Sequence, residues 1–283
     1  MTDRARGPVG CAVVVRSRRA EAGYAVLHER CEPGESVHAA ALRAVERATG
    51  VAAADVWAVD LSGPWAVLAV EVPDTVTVGP PSGAGAGDEA TGDPVERVRA
   101  IPWVTVAFRP LTRADLGDVV AWQAQPYVAR WWQHEASDLA AAVRHYGPAL
   151  DGEDPTRLWV LEVNGRSVGM LQDYRVGDHP EYALLTAKPD DVGFDYLIGD
   201  PSWVGRGIGT RMLWCYLRDV VHPHYPGVTE LFAAPDHRNA ASLRVLDKLG
   251  FTRGLWFDEP QPDGQVDTVV GCTLDVPRIL APG

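Results

Sequence analysis

Cysteine is scarce in this chain of 283 residues. The four are Cys11, Cys31, Cys215 and Cys272, and no two have the short spacing of a zinc ribbon or a redox motif. The eight histidines are equally scattered and show no metal-ligand spacing. Free thiols in a reducing cytosol, no bound metal and a cytoplasmic location are the expectation. Positive charge is also short. Lys and Arg number 26 against 38 Asp and Glu, a net charge of -12. That balance argues against nucleic acid or an anionic membrane as the main partner and is compatible with a cationic ligand. No apolar run is long enough to cross a bilayer. The run "VGCAVVV" after Arg4 and Arg6 is too short for a signal core and lacks a cleavage site. It reads as a buried β-strand.

What remains is an ordinary soluble composition, 46% hydrophobic and 23% charged, with length for one large domain or two. The Gly/Pro/Ala-rich segment "GPPSGAGAGDEATGDP" cannot bury a core and reads as a flexible loop. The run "VERVRAIPWVTV" after it alternates and reads as a strand completing the first domain. A second unit opens with a strand giving way to a helix, with Thr112 as N-cap and Asp115 three residues on. The boundary falls near Val104, giving domains 1–104 and 105–283. The first reads β (Gly10 to Arg16), β (Tyr24 to Glu29), helix (Ser36 to Thr49), β (Asp55 to Asp60), β (Trp65 to Val72), loop, β. The second reads β, helix, helix, then strands 159–163, 166–174 and 192–198, helix 207–221, strand 229–234, helix 240–249 and strands 252–258 and 267–274. Both are mixed α/β units without internal repeats.

The stretch "CEPGESVHAAALRAVERATGV", with the strands around it, resembles the Nudix box. Glu35, Arg43, Gly50 and Val51 match; Glu29 replaces the opening Gly. The acidic positions that coordinate Mg²⁺ in that family fall on Ala44, Arg47 and Ala48. A hard divalent cation needs several carboxylate oxygens, and these residues supply none. The resemblance implies a degenerate Nudix-like α/β/α sandwich in which Glu35 and Arg43 hold a loop to a helix, without hydrolase activity.

In "VGFDYLIGDPSWVGRGIGTRMLWCYLRDVV" a strand leads into a Gly-rich loop that opens a helix, a site where backbone N–H groups can converge on a pyrophosphate. The spacing fits neither a Walker A loop nor a dinucleotide fingerprint. The six positions Val204, Gly205, Arg206, Gly207, Ile208 and Gly209 instead resemble the acyl-CoA loop of the GNAT acetyltransferases, with Val204 departing from the usual Gln/Arg. "PDHRNAASLRVLDKLGF" matches that family's later strand-to-helix segment. The resemblance implies a splayed central mixed sheet and acetyl-CoA held by Leu197, Ile198, the loop 204–209, Thr210, Asn239 and Ser242. The tyrosine that protonates the departing thiolate in many relatives is Leu246 here, so solvent is left as a proton source.

Residues 107 to 276 more closely resemble the aminoglycoside 6'-N-acetyltransferases. Trp131 and Trp132 stand for that family's Trp-Trp, Asp195 ends "GFD", and Pro262, Asp263 and Gly264 stand for the late hairpin. A polycationic substrate suits the seven acidic residues against two basic between Asp173 and Asp200. The resemblance implies direct acyl transfer: Asp195 accepts a proton from, or orients, the ammonium, and backbone N–H groups near Leu197 polarise the thioester carbonyl. Trp131, Trp132, Asp173, Tyr174, Asp195 and Asp263 contact the sugar. A second similarity is to acyltransferases of hydroxylysine siderophore precursors. They usually carry a His-Asp pair in the central strand region, where this chain has Asp195 and Asp200. The first domain then serves as a binding or dimerisation module, with a possible homodimer as the assembly.

Overall fold

In the computed structural model the residues described are 8–17, 24–52, 55–72, 76, 93–102, 104–132, 136–179, 188–260 and 266–280. The chain divides into two compact units. One comprises Met1–Pro102 with Arg244–Thr252 and Leu274–Gly283; the other comprises Trp103–Leu243 with Arg253–Thr273. No helix among the described residues is long and apolar enough to cross a membrane.

The first unit is built on a four-stranded sheet of β1 (Gly10–Ser17), β2 (Tyr24–Arg30), β3 (Val56–Asp60) and β4 (Trp65–Val72), in the order β2-β1-β4-β3. β1 runs antiparallel to β2 and parallel to β4. A strand flanked on both edges and covered on both faces must be apolar throughout, and Cys11 to Val15 are at most 1% exposed. Helix α1 (Val37–Thr49) packs on β1 and β2. Its buried stripe contains Ala40, Ala41, Ala44 and Val45, small residues that let the helix approach closely. Ser36 caps it, accepting from Ala39 N at 3.0 Å, and Gly50 ends it at φ 70°.

The run "VERVRAIPWVTV" departs from the sequence expectation: Pro94–Arg99 is a helix, α2. Apolar alternation suggested a strand, but local chemistry decides otherwise. Asp93 accepts from Val95 N at 2.8 Å, Pro94 takes the first turn and Arg97 and Arg99 the last, all of which stabilise a short helix. The Gly-rich stretch before it lies almost wholly outside the described residues.

The chain continues with β5 (Val106–Pro110), α3 (Leu116–Gln123), α4 (Pro126–Ala129), α5 (Leu139–Asp151), β6 (Arg157–Val163), β7 (Arg166–Arg175), β8 (Val192–Ile198), α6 (Ile208–Tyr216), α7 (His222–His224), β9 (Glu230–Ala233), α8 (Ala240–Lys248), β10 (Thr252–Pro260), β11 (Val266–Asp275) and α9 (Val276–Ile279). These elements form the second unit, except α9, the part of α8 from Arg244 on, Thr252 of β10 and the last two residues of β11, which count with the first. A π-type turn over Leu217–Val221 joins α6 to α7. The capping chemistry before α3 is as read from sequence: the Asp115 carboxylate accepts from Thr112 N at 2.9 Å and from its hydroxyl at 2.8 Å. The seven strands lie in the order β10-β11-β9-β8-β7-β6-β5. One face of the sheet carries Val160, Met170 and Leu197, buried with Leu116, Val119, Trp122 and Tyr146 of α3 and α5.

Candidate active site

The site is set by an interruption in the sheet. β8 is fully paired with β7 from Val192 to Ile198. On its other edge it is parallel to β9, and only Val192 and Gly193 find partners there, Leu231 and Phe232. From Phe194 onward β8 and β9 part, so β8 near Leu197 has no neighbouring strand on that side. An extended acyl-pantetheine arm requires such an opening between strands.

Beyond β8 the chain turns through the Gly-rich loop. Gly205 and Gly207 have φ of 75° and 78°, a left-handed conformation that favours glycine, and Gly207 is the N-cap of α6. Val204, Gly205 and Arg206 are exposed, while Ile208 and Thr210 are buried beneath them. An accessible turn, fixed from below at a nine-residue helix's positive end, fits a pyrophosphate. At the start of α8, Asn239 Oδ1 accepts from Ser242 N at 3.1 Å and so caps the helix. That bond leaves its amide N–H groups for a ligand. The described residues therefore fit coenzyme A.

Alternation along the strands sorts the remaining candidates. Gln172 is opposite Asp195 and Tyr174 opposite Gly193. These residues share one sheet face, and Gln172 Nε2 donates to Asp195 Oδ2 at 3.0 Å. Tyr174 lies over Gly193, where a Cβ would meet its ring at 2.6 Å. Asp173, one residue along, points to the other face. It is 0% exposed and accepts from Arg157 Nε at 2.7 Å, Trp159 Nε1 at 2.9 Å, the Tyr225 hydroxyl at 2.8 Å and the Tyr216 hydroxyl. The substrate contact expected of Asp173 is thus corrected. It is a buried hub, and Gln172 takes its place beside Asp195.

The acidic cluster read between Asp173 and Asp200 also disperses. Asp191 is buried and accepts from Lys188 N at 2.7 Å. Asp200 accepts from Ser202 N at 2.9 Å. Asp190 is at the surface, and Glu181 lies outside the described residues, as do Pro262, Asp263 and Gly264. Only Asp195 belongs to the cleft strand. Glu259 of β10 is half-buried, and its carboxyl is pushed up to about 7 by burial and then by the charges of Asp195 and Asp267.

The shift has a consequence for stability. A carboxyl raised in the folded state holds a proton that the unfolded chain has released. Its effect is absent below the ordinary value of 4.5 and grows as pH rises to about 7. Glu259→Gln should therefore leave Tm nearly unchanged near pH 4.5 and raise it relative to the native chain at pH 7, read by thermal denaturation across that range. An equal Tm difference at both ends would refute the assignment.

Trp131 and Trp132 follow α4. Trp132 packs on the α3–α5 core. Trp131 lines a cleft of about 420 Å³ with Ala129, Arg130 and Arg238, and the Arg130 guanidinium lies 5.6 Å from its ring centroid. Arg238 is held by Asp236 at 2.6 Å. Leu246 is buried and offers no proton. A hydroxyl does reach this region from the facing strand: Tyr196 of β8 and Ser242 of α8 are 2.8 Å apart, oxygen to oxygen. Burial holds the Tyr196 phenol well above its usual pKa, hence protonated. The sequence reading passed over it because the family pattern directs attention to the helix.

Comparison with known proteins agrees with this geometry. The family model for the acetyltransferase (GNAT) domain matches residues 112–258. The aminoglycoside N(6')-acetyltransferase type 1 of Klebsiella pneumoniae is 25% identical over 152 residues, covering 53% of this chain and 75% of the relative. The lysine N-acyltransferase MbtK of Mycolicibacterium paratuberculosis is 26% identical over 144 residues, covering 51% and 64%. Among solved structures, AAC(6')-Ib in complex with ribostamycin and coenzyme A superposes with a TM-score of 0.51 at 25% identity, covering 60% of this chain and 93% of that one. With the family model spanning just over half of the sequence, and the strand gap and glycine turn both in place, the chain belongs to the GNAT acetyltransferases, acetyl-CoA-dependent enzymes that acylate amines.

Proposed function

We propose that the chain acetylates an amine of an aminoglycoside, the 6'-amine in particular. The observation that carries the reading is the Asp195 carboxylate, held by Gln172 on the strand that parts from β9. An ammonium entering there meets the Asp195 carboxylate, held in place by Gln172. Asp195 orients the ammonium and takes its proton, and the freed amine nitrogen attacks the thioester carbonyl. Main-chain N–H groups of β8 near Leu197 stabilise the developing oxyanion. As the C–S bond breaks, Tyr196, relayed by Ser242, gives its proton to the leaving thiolate, and the second proton of the now-cationic nitrogen is lost as the amide forms and returns to the Tyr196 oxygen through solvent. Val204, Gly205, Arg206, Gly207, Ile208, Gly209 and Thr210 hold the pyrophosphate, with Leu197, Ile198 and Asn239 along the arm. Tyr174 and Trp131 form the sugar-facing walls. In solved structures the related AAC(6')-Ib binds ribostamycin beside coenzyme A, which supports this class of acceptor.

Tyr196→Phe tests the proton donor. Turnover is expected to fall by about 10²-fold, the lower end for a general acid, with acetyl-CoA affinity retained. An unchanged kcat would return the role to solvent.

One observation favours a second acceptor class. Two guanidinium groups line the cleft at Trp131, which suits an amine that also carries a carboxylate, as lysine does; one of the relatives is a lysine N-acyltransferase. The ratio of kcat/KM for an aminoglycoside panel to that for lysine and hydroxylysine separates the two. A ratio well above one is expected. A ratio below one would transfer the assignment to the amino acid.

For the first unit, we read retained Nudix-like architecture without hydrolysis. Arg43 donates to Glu35 at 3.0 and 2.7 Å and to Glu29 at 2.9 Å, and Arg47 pairs with Glu29 at 2.7 Å. Carboxylates neutralised by guanidinium groups are the reverse of a cation cradle.

A further inference from the structure

We infer that two copies of the chain pair through β10, antiparallel about a two-fold axis, so that their seven-stranded sheets join edge to edge. β10 is the terminal strand of its sheet, and an edge strand presents a row of main-chain donors and acceptors. Edges that must stay single are commonly blunted by lysine, proline or inward charge. The centre of this one, "GLWF", has none of these. Leu255 is 64% and Trp256 62% exposed. As neighbours on a strand they point to opposite faces, so the edge is apolar on both.

Symmetry restricts the register. With the axis normal to the sheet, opposed residues must point to the same face, so the two numbers of every pair have an even sum. Centring on Trp256 sets Trp256 against its own copy, Leu255 against the second copy's Phe257, and Arg253 against the second copy's Glu259. This register makes two Arg–Glu pairs and buries apolar side chains on both faces. Centring on Leu255 sets Arg253 against Phe257 and loses both ion pairs. The Thr268 hydroxyl donates to Asp258 at 2.9 Å, which ties β11 to β10 beside Glu259, and the Asp267 charge reaches that carboxyl. Like charges opposed across a ladder are unfavourable, and the charges that raise the Glu259 carboxyl are both carboxylates. A guanidinium from a second copy relieves that repulsion. The second copy is thus selected by charge as well as by exposed area.

Light scattering on the full chain should give twice the 30.6 kDa of one copy. Arg253→Glu, at an exposed position, should yield a monomer, and adding Glu259→Arg should restore the dimer. Register is read by cross-linking in a Cys31→Ser background, where the other three cysteines are buried. Under a mild added oxidant Trp256→Cys should link two copies, and Phe257→Cys, displaced from its own copy, should not. A monomeric native chain, a dimer indifferent to Arg253→Glu, or failure of position 256 to cross-link would each overturn the inference.

Discussion

Asp195→Asn should lower kcat/KM for the amine acceptor by roughly 10²–10⁴-fold, the range typical of a lost general base, while acetyl-CoA binds as before. The two effects separate because different elements carry them. Asp195 lies on β8 with Gln172 beside it at 3.0 Å, whereas the turn proposed to hold the pyrophosphate is the exposed stretch that opens α6. The amide keeps the shape and the Gln172 neighbour but neither holds an ammonium nor takes its proton. Pre-steady-state kinetics with acetyl-CoA, alongside calorimetric titration of coenzyme A, would resolve them. Unchanged turnover would overturn the base assignment. Equal losses of turnover and coenzyme binding would mean that Asp195 acts by supporting the strand.

The second large effect concerns stability. Asp173→Ala should cost about 3–5 kcal/mol, the range for removing one partner of a buried ion pair. Folded domains have roughly 5–15 kcal/mol in all. The carboxylate holds together β6 (Arg157, Trp159), β7, the end of α6 (Tyr216) and the segment after α7 (Tyr225). Arg157 is 18% exposed at its side chain and would be left as a buried cation without its counter-ion. Asp173→Asn should lose less, since the amide oxygen still accepts from the phenols. Urea denaturation of the three proteins gives the order directly. A loss below about 1 kcal/mol, the scale of an exposed pair, would show that the hub relaxes.

Much of the fold could be read from local patterns. The apolar run of β1, the Thr112–Asp115 cap and the glycine turn are each determined by neighbours in sequence. The structure bears them out within a residue or two. Failures came where two local signals conflicted or where distant residues meet. In "VERVRAIPWVTV" apolar alternation outweighed the Asp-Pro start in our reading, although the cap decides the structure. Asp173 was taken for a substrate ligand because clustering in sequence says nothing of strand face. A shift of one position exchanges it for Gln172. The pair Tyr196–Ser242 joins β8 to a helix 46 residues away, and nothing in either segment announces the other.

Mass spectrometry of ribostamycin incubated with the full chain and acetyl-CoA tests the assignment most directly. The expected product carries a single acetyl group on an amine, with one free thiol released per acetyl transferred. It should be absent without acetyl-CoA and strongly reduced with Asp195→Asn. A protein that binds acetyl-CoA yet leaves ribostamycin and every other aminoglycoside unmodified would contradict it.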